Sequence, residues 1–113
     1  MNKTLKAVIV EVTGGNVRNH HINLRGAFGF FPDDALGGSS EAQAGRPVKL
    51  WISGEVISTD IDETKAIFRE RGAVRRFFEN DAVVAGDLVL IERSGAREYQ
   101  ISKASKRAFK YHL

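Results

Sequence analysis

A chain of 113 residues with 42% hydrophobic content and seven Phe has the length and apolar supply of one domain with one core, expected to span residues 1–113. No apolar run approaches the roughly 18 residues of a membrane span, and the absence of cysteine removes disulfides, thiolate catalysis and Cys-based zinc sites. The formal charge of +3 decides little by itself, and its distribution decides more. No acid falls between Val12 and Pro32, where Arg18, His20, His21 and Arg25 lie. None falls from Ser102 to Leu113, which holds Lys103, Lys106, Arg107 and Lys110. Segments of one sign suit a polyanion, with an attraction that weakens as salt rises; a solvated basic face is the alternative.

In chain order, Leu5–Val12 (LKAVIVEV) reads as a central strand. Glu11 interrupts it too early for a signal peptide, so a cytoplasmic protein without a membrane partner is expected. Thr13 to Asn19 reads as a long polar loop. His20 to Leu24 alternates, with Ile22 and Leu24 on one face and His21, Asn23 and Arg25 on the other, which predicts the second strand of a pair. Pro32 to Leu36 suits one helical turn, and Ser39 to Arg46 a surface loop. Pro47–Ser53 alternates as a strand with Val48, Leu50 and Ile52 on one side, which leaves Trp51 either outward or covered by a neighbouring loop. Gly54 marks a turn, and Glu55–Thr59 is the hairpin partner. Asp60 to Thr64 reads as a second projecting loop, Lys65–Arg69 as a strand, and the stretch around Ala73 to Phe78 as a short amphipathic helix. Ala85-Gly86-Asp87 is a tight turn into the aliphatic strand Leu88–Ile91. Ser94 to Arg97 turns into the last strand, Glu98–Lys103. Seven short strands with turn signals and two short helices predict a mainly β sandwich or barrel.

The segment VRRFFENDAVVAGDLVLIER (residues 74–93) resembles the closing part of the plant-type B3 DNA-binding domain: a basic and aromatic helix, then Gly-Asp, then an aliphatic strand. The likeness runs upstream through TDIDETKAIFRERG and NHHINLRGAFGFFPDDALGG, and downstream to Tyr99-Gln100-Ile101, so it covers most of the chain. These stretches are most similar to the bacterial branch, which serves as recognition domains of restriction endonucleases. The resemblance implies a seven-stranded open pseudobarrel that grips the DNA major groove with two arms. It implies a non-catalytic module of a restriction-type system, working beside a nuclease domain or subunit.

The candidate contacts follow from residue chemistry. Arg pairs bidentately with guanine and Asn with adenine, so Asn16, Arg18, Asn19, His20, His21, Asn23 and Arg25 form the first candidate arm. Ser58, Thr59, Asp60, Asp62 and Lys65 form the second: acids accept from cytosine N4, and Lys reaches phosphate. Arg69 and Lys106 are expected on backbone phosphates, and Arg71, Arg75 and Arg76 belong either to that path or to a solvated helix face. The partner expected is double-stranded DNA, with no cofactor and no small-molecule substrate. Two other classes stay open. Asp33, Glu63 and Lys65 formally spell a metal-nuclease pattern, and Trp51 with Phe28, Phe30 and Phe31 would suit a protein-interaction barrel.

Overall fold

Period-two burial decides the larger of two sheets in the computed structural model, which describes residues 6–104. The strands are β1 (Ala7–Glu11), β2 (Leu36–Gly37), β3 (Val48–Ile52) and β4 (Glu55–Thr59), followed by β5 (Ile61–Asp62), β6 (Ile67–Phe68), β7 (Leu88–Gly95) and β8 (Glu98–Ala104). Two α-helices, α1 (Gly14–Asn19) and α2 (Arg71–Asn80), and three single 3-10 turns complete the described residues. No helix among these residues is long and apolar enough to cross a membrane.

Five strands make one sheet in the order β1-β7-β8-β3-β4, antiparallel except for the β8–β3 pair. Along β3, Val48, Leu50 and Ile52 are buried while Lys49 and Trp51 face out, as the alternation requires. Ser53 and Gly54 both take positive φ (51° and 78°), the two-residue turn whose twist matches antiparallel strands. Val89 and Ile91 on β7 and Tyr99 and Ile101 on β8 add to the same buried face. Three short strands, β2-β5-β6, form a second sheet.

An aromatic cluster joins the two sheets. Phe31 lies 5.7 Å from Phe68 of β6 and 4.8 Å from Tyr99 of β8, ring centre to ring centre, and Phe30 packs edge-on to both Phe31 and Tyr99. The Tyr99 hydroxyl donates to the Phe30 carbonyl at 3.0 Å, so its buried polar atom is satisfied. On the other side, α2 buries Ala73, Val74, Phe77 and Phe78, each Phe stabilising by about 1.5–3 kcal/mol. The Gly-Asp turn locks β1 to β7. Gly86 takes φ +93°, its N–H donates to the Val12 carbonyl, Val12 N–H donates to the Asp87 carbonyl, and the Asp87 carboxylate accepts from Val84 N–H.

Two expectations need correction. Eight strands in two sheets replace the seven expected: β6 lies within the strand expected over Lys65–Arg69, the strand expected over His20–Leu24 is absent from the described residues, and β2 and β5 are two-residue pairings too short to announce themselves. Of the loop expected over Thr13 to Asn19, Gly14–Asn19 is the helix α1 with Thr13 as its cap, and residues 21–24 belong to no strand. The burial alternation there is nonetheless real, with Ile22 and Leu24 in the core and Asn23 and Arg25 exposed. A period of two reports which side chains face inward; a strand also needs a ladder partner, whereas here His21 N–H turns back to Asn16 O of α1 at 2.9 Å and Leu24 N–H donates to Ala66 O at 2.8 Å.

Candidate nucleic-acid interface

The first polar segment is built by capping. Thr13 accepts from Asn16 N–H through its hydroxyl at 3.1 Å, and the Asn16 side chain accepts from Thr13 N–H at 2.9 Å. That reciprocal pair offsets the poor helix propensity of Gly14 and Gly15. It also engages Asn16 inside the cap. At the other end His20 adopts the left-handed region at φ 58°, while its N–H and that of His21 close on the Val17 and Asn16 carbonyls. Arg18 and Asn19 are exposed on this helix, with the Asn19 amide donating to Gly15 O. Beyond it Asn23 and Arg25 stand in solvent, the Asn23 side chain accepting from Arg25 N–H. Asn23, Arg25, Gly26 and Ala27 line an open cleft of about 530 Å³ against β1.

The second segment is built differently. Asp60 is only 4% exposed, and both its oxygens are occupied: Arg69 Nε donates at 2.6 Å, Arg69 Nη2 at 2.9 Å and Gly45 N–H at 2.7 Å. Arg69 continues to the Gly38 and Ser40 carbonyls, so one ion pair fastens the 38–45 loop to the small sheet. Burial works to raise the Asp60 pKa, but the bonds from Arg69 and Gly45 outweigh it and hold the carboxyl below its ordinary range. Gly37 lies so close to this carboxylate that an added Cβ would collide with it. Thr59 is buried, donating to the Asp60 carbonyl and accepting from Glu70 N–H. Asp62 is buried too, its Oδ1 accepting from Lys65 N–H at 3.1 Å while Ala66 N–H returns to its carbonyl. Thr59, Asp60, Asp62 and Arg69, expected on DNA, therefore sit as supports of the turn that exposes Glu63, Thr64 and Lys65. Ser58 is exposed on the outer face of β4, opposite Lys49.

The two segments meet. Besides the Leu24–Ala66 bond, Arg71 at the start of α2 reaches across to donate to the Asn19 carbonyl at 2.8 Å. A cation on the last residue of α1 is well placed, because unpaired carbonyls concentrate negative charge there. Arg71 had no local signal setting it apart from its neighbours. Arg76 of the same helix is paired with Glu55 at 2.6 Å, and Arg75 is exposed. Half-buried His21 lies in the chain between Asn19 and Leu24, the residues bonded to Arg71 and Ala66, and Arg71, Lys65 and His20 are the charges that act on it. Burial first, then these three charges, hold the His21 pKa below its ordinary value of 6.5.

Lys106 lies outside the described residues, as does most of the basic tail. Asp33 lines a largely apolar cleft of about 560 Å³ with Phe30, Phe31, Arg93 and Tyr99, whereas Glu63 and Lys65 stand on the β5–β6 turn. Among the described residues no group of three or more His, Asp or Glu is arranged to hold a metal ion. Trp51, 44% exposed, faces outward beside its cross-strand partner Val56. Compared with known proteins, the chain matches no family model, no curated protein and no solved structure.

Proposed function

We propose that this chain is a sequence-specific double-stranded DNA-binding module of the B3-like pseudobarrel kind, the target-recognition part of a restriction-type system. The observation that carries the DNA reading is the junction of the two polar segments, made by Leu24 N–H on Ala66 O and Arg71 on Asn19 O. It brings the chain around His20 and His21 against the turn that carries Lys65 and the start of α2 at Arg71, with Arg18 and Arg25 exposed along the first segment. Cations of this kind hold a duplex by its phosphates, while exposed Arg and Asn side chains read base edges. The pseudobarrel form and the restriction role are supported by the resemblance of residues 19–38, 59–72 and 74–93. Base reading falls to Arg18, Asn19, Asn23 and Arg25, and phosphate contact to His20, His21, Lys65 and Arg71. The buried carboxylates of Asp60 and Asp62 keep the second segment in shape.

Selection from a random duplex pool tests this reading: one short motif should be enriched, and Arg25→Ala should weaken binding to it by about 1–3 kcal/mol. A pool that stays random, with no retention even at low salt, overturns it. A second reading rests on the outward Trp51–Val56 pair, which suits a protein partner. Salt-insensitive capture through that sheet face, lost in Trp51→Ala, would favour it.

A further inference from the structure

Three elements meet where the chain passes His21, between Asn19 held by Arg71 and Leu24 held by Ala66. His21 follows the C-terminal cap of α1, Lys65 sits on the β5–β6 turn, and Arg71 opens α2. The junction bonds Leu24–Ala66 and Arg71–Asn19 fix these elements against one another. The charges acting on His21 are Arg71, Lys65 and His20, all cationic or able to become so. Carboxylates on the same elements are partly engaged elsewhere: Asp62 on Lys65 N–H, and Glu70 on Gly72 N–H, with Glu63 exposed on the turn. Like charges gathered at a half-buried spot disfavour a further proton there. An anion entering among them reverses that preference, because it neutralises Lys65 and Arg71 and accepts a hydrogen bond from the imidazolium.

We propose that His21, Lys65 and Arg71 together seat one backbone phosphate of a bound duplex, and that His21 takes up a proton as the phosphate enters. The proposal rests on the DNA-binding reading above and adds that binding is linked to pH through one named residue. By linkage, affinity rises as pH falls across the interval between the free and bound His21 pKa values, and levels off on either side.

The experiment measures affinity for a mixed-sequence duplex at fixed ionic strength between pH 6 and 8, for the wild type and His21→Gln. Wild-type binding should tighten by up to about tenfold per pH unit within that interval. His21→Gln should flatten the profile. In parallel, NMR titration of the wild-type His21 ring should show its pKa rising when duplex is added, a readout independent of any variant's folding. A flat wild-type profile, a profile that His21→Gln leaves intact, or a His21 pKa unmoved by DNA would each overturn the proposal. Binding that persists with a flat profile sinks this inference alone. Absence of binding at every pH sinks the parent reading with it.

Discussion

Between Val17 and Arg25 the backbone caps do the folding and most polar side chains remain outside; between Thr59 and Asp62 the polar side chains go inside and do the folding themselves. Both stretches are rich in groups that can contact DNA, so residue type alone does not separate them. Accounting for bonds does. Arg18, Asn23 and Arg25 are exposed, whereas Asp60 has three donors on its two oxygens and Asp62 caps its own turn. A carboxylate near phosphate is a liability unless something neutralises it, and Arg69 does so for Asp60.

Breaking the ion pair is the largest test of this contrast. Asp60→Ala leaves the guanidinium of Arg69, 18% exposed, without its carboxylate, and should cost about 3–5 kcal/mol in denaturant unfolding. The same residue sets a pH dependence. Because folding lowers the Asp60 pKa, its contribution is full above the ordinary value of 3.8 and is lost as pH falls through the lower folded value. The stability gap between wild type and Asp60→Ala should therefore narrow on acidification below about pH 4. In the first segment, Thr13→Ala removes the α1 capping box and should cost about 1 kcal/mol by the same assay. Smallest of all, Ser58→Ala on the outer face of β4 should stay within about 0.5 kcal/mol in stability. A large loss there, or none at Asp60, would erase the distinction.

Much of the scaffold was legible from local chemistry. The Gly86-Asp87 turn, the β3–β4 hairpin and the α2 helix follow from positive-φ demands and periodicity. Helix α1 was not, because two consecutive Gly argue against a helix and the capping partner of Thr13 is Asn rather than the usual Glu or Gln. Nor was the Asp60–Arg69 hub, whose bonds reach 15 residues to Gly45 and 31 to Gly38. Arg71 reads as one more arginine in a basic run. Its bond to Asn19, 52 residues away, is what sets it apart.

Amide chemical-shift mapping with duplex DNA tests the central claim most directly. Perturbations should concentrate on residues 18–25, 63–66 and 71, and leave the outer face around Trp51 and Val56 quiet. Shifts centred on that sheet face, with the 18–25 and 63–66 amides unmoved, would contradict the account.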